Sequence, residues 1–274
     1  MNAMTVLIEA LQRLYFLPDQ DDSWRDGLDE QGFDGLRGQL ALLDSSAQVR
    51  TLVLSLAVTS AWPRLAAMLD VVLEDLGIAA PTVSISPVAG YQLWWSLAQP
   101  VPFDEAQRFL RGLVSTYLAD IPEDQLSCLP GCDEESRFVM MVPALDEASG
   151  LWSAFIDSSL GAMFANDAPG LEFPPRIERQ ASMLATVNSI KLQDFRKALA
   201  RLTAKIPLPA ACPVLPEENP AIQGAARPDS AAGFSAGSTY ADPKSFLLAV
   251  MNDASVSTSD RIRAASALLP YFSG

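Results

Sequence analysis

Histidine is absent from this chain, and with it go the commonest general base at neutral pH and the commonest zinc ligand. A histidine-based triad and a histidine zinc site are both excluded. Cysteine is scarce as well: Cys128, Cys132 and Cys212 are the full set, which argues against a disulfide framework and falls short of four zinc thiolates. Cys128 and Cys132 flank a Pro-Gly turn and read as a buried or incidental pair. Long apolar runs are missing, because Asp70, Glu74 and Asp75 interrupt the longest candidates before the roughly 18–20 residues that span a bilayer. The opening Met1-Asn-Ala-Met4 has no basic, cleavable leader, so the expected compartment is cytoplasmic and no membrane partner is expected. Positive charge is the last deficit. With 19 basic against 33 acidic residues the net charge is −14, which repels duplex phosphate and favours protein partners.

What is present supports a sizeable core: 274 residues, 49% of them hydrophobic, suit one main domain with appendages. Residues 5–17 repeat apolar side chains at Leu7, Ile8, Leu11, Leu14 and Tyr15, which predicts a helix ended by Pro18. The next stretch is acidic, from Asp19 to Asp34, and lacks the alternating carboxylate order of a calcium loop. It reads as a solvated loop running into a short helix over 34–43. Residues 48–150 then alternate strand and helix patterns: strands over 50–57, 82–86, 91–97, 124–129 and 137–143, with helices over 61–76 and 104–118. Gly77 marks one helix end and Asp104 is a candidate cap for the other. Two such strand-helix-strand halves predict an α+β fold, a split βαβ antiparallel sheet with helices on one face and the other face open.

Residues 151–205 read as a mainly helical extension. Its basic residues Arg176, Arg179, Lys191, Arg196, Lys197, Arg201 and Lys205 are spaced as solvated helix faces. Residues 206–241 form a Pro/Ala-rich linker. Residues 242–274 predict a helical hairpin whose first helix is started by Asp242-Pro243 and presents Phe246, Leu247, Val250 and Met251 to a partner surface.

The run from Thr82 to Pro102, with its turn, Gln92 and the aromatic pair Trp94–Trp95, resembles the second motif region of archaeo-eukaryotic primase-polymerases, including plasmid replication primases; Leu129-Pro-Gly131 resembles a further short element of that family. The family's first motif is an alternating aspartate pair, which holds divalent metal because alternate strand residues share a face. The resemblance places Ser55 and Ala57 at that pair and Gln92 at the family's histidine, so the chemistry it implies has lost its groups. The tail from Asp242 to Phe272 is similar to a short helical module of phage small terminase subunits, which implies a phage, plasmid or other mobile-element context.

The expectation is therefore a non-catalytic protein on a degenerate primase-like palm, with no metal and no cofactor, engaging a protein partner in replication or packaging. Parity puts Tyr91, Leu93, Trp95 and Leu97 in the core and places Trp94 and Ser96 beside Gln92 on the opposite face as candidate binding residues, with Phe246 and Met251 of the tail. Two alternatives accompany it. One is a single-stranded nucleic-acid binder that stacks bases on Trp94 and draws on the arginines of 176–205. The other is an enzyme with relocated carboxylates, from Asp104, Glu105, Asp124 or Asp133.

Overall fold

A computed structural model describes residues 2–17, 35–36, 38–165 and 169–205. The acidic loop, the linker of 206–241 and the expected hairpin at 242–274, with Phe246 and Met251, lie outside the described residues. Chain contacts divide after Pro216, and all described residues fall in the first unit.

The central sheet has the predicted split βαβ order. Strand β2 (Gln48–Leu56) leads through helix α2 (Trp62–Leu76) to β3 (Thr82–Ser86) and, by a tight turn, to β4 (Gly90–Pro102). Helix α3 (Phe103–Tyr117) then returns the chain to β5 (Leu126–Leu129). Neighbours run β5-β2-β4-β3 and every pair is antiparallel. A fifth strand, β9 (Ala154–Ile156), follows the short pair β7 (Leu145–Asp146) and β8 (Leu151–Trp152) and pairs with β3, so the sheet extends beyond residue 150 into the segment expected to be helical. That segment also holds a 3-10 stretch (Ser158–Phe164), α4 (Ile177–Ala185) and α5 (Leu192–Lys205). Three residues of β9 are too few to show an alternation in sequence.

Residue alternation sorts the sheet into two faces. Leu52, Leu54, Leu56, Val83, Ile85, Tyr91, Leu93, Trp95 and Leu97 point to one side and pack with α2, α3 and α5. Helix α2 begins with Pro63 in its first turn and stops at Gly77, whose φ of 68° is the left-handed cap glycine supplies without strain. It buries Trp62, Leu65, Met68, Val72 and Leu76, while Leu73 stays exposed. Asp104 does not cap α3: the helix starts one residue earlier, after Pro102, and Asp104 instead pairs with Arg108 at 2.8 Å.

The expectation of an open second face is overturned. Helix α1 (Ala3–Tyr15) and α4 cover it, and Leu7, Leu11, Leu14, Tyr15, Phe16, Val53, Trp94, Phe155, Ala181 and Leu184 form a second core. The greasy face of α1 thus finds its partner within the chain. Residues 34–43 are not helical either. Gly35 and Gly38 take φ of 90° and 94°, and Gln39–Ala41 forms β1, paired with β6 (Phe138–Met140) in a separate two-stranded sheet. Its paired Leu40 and Val139 are buried, as is Leu42 just beyond β1.

Three tyrosines set the alkaline limit. Burial pushes the Tyr15 hydroxyl far above its usual range and raises Tyr91 to about 12; burial, with Asp75 alongside, raises Tyr117 to about 12. Tyr91 donates to the Gly161 carbonyl at 2.6 Å. Unfolded phenols titrate near 10, so this stability is fully present below about pH 10 and is lost as pH rises through about 12. In a spectrophotometric titration, tyrosinate absorbance and loss of circular dichroism should rise together above pH 10. Early ionisation of these tyrosines with the fold intact would contradict their burial.

Candidate functional site

Two of the three positions singled out by the resemblance converge. Ser55 lies directly opposite Gln92, Val53 opposite Trp94 and Thr51 opposite Ser96, while Ser84 and Thr82 flank Gln92 and Trp94 from β3. Ala57 does not join them: β2 ends at Leu56 and Ala57 is exposed beyond it.

The convergent side chains bond to one another. The Trp94 indole Nε1 donates to Ser84 Oγ at 2.8 Å, Ser84 Oγ to Gln92 Oε1 at 3.3 Å, and Gln92 Nε2 to Ser55 Oγ at 3.3 Å. Trp94 and Gln92 are each 3% exposed and Ser84 is fully buried. A buried polar group is tolerated when its donors and acceptors are matched within the protein. Trp94 further contacts the rings of Tyr15 (5.3 Å) and Phe155 (5.8 Å).

The placement of Trp94 and Ser96 as binding residues is therefore corrected, because the occupant of that surface is α1. A helix C-terminus leaves its last carbonyls without partners, and this sheet supplies them. Ser96 Oγ donates to the Leu14 carbonyl at 2.5 Å and Thr51 Oγ1 to that of Tyr15 at 2.7 Å. The Arg50 guanidinium reaches the Arg13 and Phe16 carbonyls as well as that of Leu97. Tyr15 returns a bond from its hydroxyl to Thr82 Oγ1 at 2.9 Å. Arg13 in turn serves the end of α4, donating to the Leu184 and Val187 carbonyls at 2.9 and 3.0 Å. Burial, then the charge of Arg13, push the Arg50 guanidinium down from its usual range, and arginine remains charged nonetheless. Sequence reasoning misses Arg50. Its one signal is a lone cation near the start of a strand with no other charge.

Charged hydrogen bonds to orphan carbonyls are worth more than neutral ones. Arg50→Ala should cost about 2–3 kcal/mol and appear as a lower denaturant midpoint, with α1 becoming the first segment to exchange its amides. Unchanged protection of α1 would show that the helix is held by apolar packing alone.

Compared with known protein-family models and with curated proteins, this chain matches none.

The carboxylates considered for a relocated site are occupied or dispersed. Asp104 pairs with Arg108 and Glu105 with Arg196 at 3.4 Å. Asp133 accepts from the Ser136 amide at 2.8 Å and hydroxyl at 2.7 Å, bonds that hold its carboxyl below the usual range. Asp124 sits in the short turn Glu123–Gln125. Among the described residues no group of three or more histidine, cysteine, aspartate or glutamate side chains is placed to hold a metal ion. The basic residues of the last third are likewise committed in part. Lys197 meets Asp194 at 3.3 Å, and Arg201 donates to the Asp75 carbonyl at 2.7 Å.

A groove of about 560 Å³ lies between α3, β5 and α5, lined in part by Arg111, Leu126, Cys128, Cys132, Leu202 and Thr203. Cys128 is a free cysteine whose thiol burial pushes up to about 11, the opposite of what a nucleophile needs.

Proposed function

We propose that this chain is a non-catalytic interaction protein on a primase-palm-like fold, engaging a protein partner in the replication or packaging of a phage, plasmid or other mobile element. The observation that carries the reading is the closed network from Trp94 through Ser84 and Gln92 to Ser55. The face on which a palm holds metal and nucleotide is used here to seat a helix, and it carries no carboxylate among the positions that converge. Two serines, a glutamine and a tryptophan bonded to each other supply neither anionic metal ligands nor a base. The net charge of −14 favours association with proteins over nucleic acid. The alternative of a single-strand binder requires an accessible Trp94, and the ring is covered by α1 and Phe155.

Nucleotide incorporation on an oligo(dT) template with Mg²⁺ or Mn²⁺, together with oligo(dT) binding at low salt, tests the reading from one side. No extension and no binding are expected, and metal-dependent extension would overturn it. Co-expression with replication and packaging proteins of phages and plasmids tests it from the other. A stoichiometric complex that survives moderate salt is the expected result.

A further inference from the structure

The central sheet ends in two edge strands, β9 and β5, whose outer backbone groups are met differently. An edge strand presents N–H and C=O groups that template pairing with another chain. At β9 the Gln180 side-chain amide takes both groups of Phe155. No such cap closes β5 among the described residues. In an antiparallel ladder only alternate residue pairs exchange hydrogen bonds. The Ala57 N–H donates to the Gln125 carbonyl at 3.0 Å, which makes Ser55–Ser127 and Val53–Leu129 the bonded pairs of β2 and β5. Leu126 and Cys128 therefore direct their backbone groups away from β2. The Leu126 N–H turns back to the Glu123 carbonyl, and the Pro130 carbonyl accepts from the Gln107 side chain of α3. Between these two ends, the Leu126 carbonyl and both backbone groups of Cys128 meet no partner among the described residues. Leu126 and Cys128 line the groove, whose α3 and α5 sides offer Gly112, Val114 and Leu202.

We propose that β5 is a docking edge that takes an extended, basic segment of a partner protein as a further strand of the sheet. The inference rests on the reading of this chain as a protein-binding module and names the surface it uses. An added strand accepts from the Cys128 N–H and donates to the Leu126 and Cys128 carbonyls, with its side chains alternating between the two sides of the sheet. Those on the groove side meet Val114 and Leu202, which suits valine; those on the other side stand by exposed Ser127, which suits threonine. Charge selects the flanks. Glu123 and Asp124 precede the strand and Asp133, Glu134 and Glu135 follow it, all exposed. Against these five carboxylates stand Arg111 and Arg137, since Arg108 is committed to Asp104 at 2.8 Å. Lysine or arginine at both ends of the added segment complements this rim. The same charges disfavour a second copy of this chain. Self-pairing about a two-fold axis would set the acidic start of one β5 against the acidic end of the other.

The test uses the full chain and the peptide Lys-Lys-Val-Thr-Val-Thr-Val-Lys-Lys, read by fluorescence anisotropy at low salt and by amide exchange in NMR. Binding should slow exchange of the Cys128 amide about tenfold, while the Ser127 amide, already in the ladder with Ser55, keeps its rate. Cys128→Pro deletes the outward N–H and spares the inner ladder, so it should weaken binding about tenfold; Cys128→Val keeps the N–H and should bind like the parent. Glu123→Lys combined with Asp124→Lys, both at exposed positions, tests the charge without touching the core and should also weaken binding. Absence of binding, binding without protection at Cys128, or equal binding of Lys-Lys-Gly-Ser-Gly-Ser-Gly-Lys-Lys would overturn the proposal. The edge and the proposed function fail separately. A co-expressed complex that survives Cys128→Pro sinks the docking edge and leaves the partner reading standing. Protection of Cys128 by the peptide, with no replication or packaging complex recovered, keeps the edge and sinks that context.

Discussion

Trp94→Ala should destabilise the fold by about 3–5 kcal/mol, the range expected when a buried aromatic is deleted from a packed core. The ring is 3% exposed, wedged against Tyr15 and Phe155, and its indole nitrogen supplies the bond that satisfies Ser84. Its loss opens a cavity beneath α1 and strips one end from the polar network. Trp94→Phe separates the two contributions: most of the burial survives while the bond to Ser84 is lost, for a cost of about 1 kcal/mol beyond the volume change. Urea denaturation of the two variants checks both figures. A Trp94→Ala chain as stable as the parent would mean that the ring faces solvent, as a base-stacking residue would.

Gly90→Ala should be comparably damaging, at about 3 kcal/mol or more. Gly90 opens β4 with a φ of 73°, and a Cβ built on it would overlap the carbonyl oxygen of Leu56 on the neighbouring strand. The obstacle is backbone, which cannot rotate aside as a side chain can. The turn therefore has to open, and the registers of Leu56 with Tyr91 and Ser55 with Gln92 are lost with it. Thermal melting of Gly90→Ala against Ala89→Gly, a change in the same turn without the overlap, isolates the effect. Equal melting temperatures would show that the turn adapts at little cost.

The parts of this fold that are legible in sequence share strong local periodicity. The strands around Leu54, Ile85 and Leu93 and the helices ending near Gly77 and Tyr117 announce themselves through alternating apolar side chains, helical spacing and a glycine stop. The sorting of Trp95 and Trp94 to opposite faces also follows from parity alone. The second core does not, for a physical reason. Thr51, Ser55, Ser84, Gln92 and Ser96 are polar, and polar residues alternating with apolar ones read as a solvated face. Here those groups are buried because each finds a partner in another side chain or in the last carbonyls of α1, a match that exists only once the tertiary structure has formed. The same limit hides the edge of β9. The Gln180 side-chain amide accepts from the Phe155 backbone N–H at 2.9 Å and donates to its carbonyl at 3.0 Å, taking the place of a neighbouring strand. No local pattern marks a single glutamine for that role. The short pairing of Gln39–Ala41 with Phe138–Met140 joins segments far apart in the chain and leaves no trace in either alone.

The central claim is that the face shared by Ser55, Gln92 and Trp94 is sealed in solution. Hydrogen exchange at the Trp94 indole N–H, followed by NMR with and without oligo(dT) and Mn²⁺-loaded nucleotide, reads this directly. A sealed face predicts exchange only through global unfolding, at a rate that tracks urea stability and ignores both additives. Fast exchange, or a Trp94 resonance that shifts or broadens with either additive, would mean that the sheet opens to a ligand and that α1 is a cover over a working site.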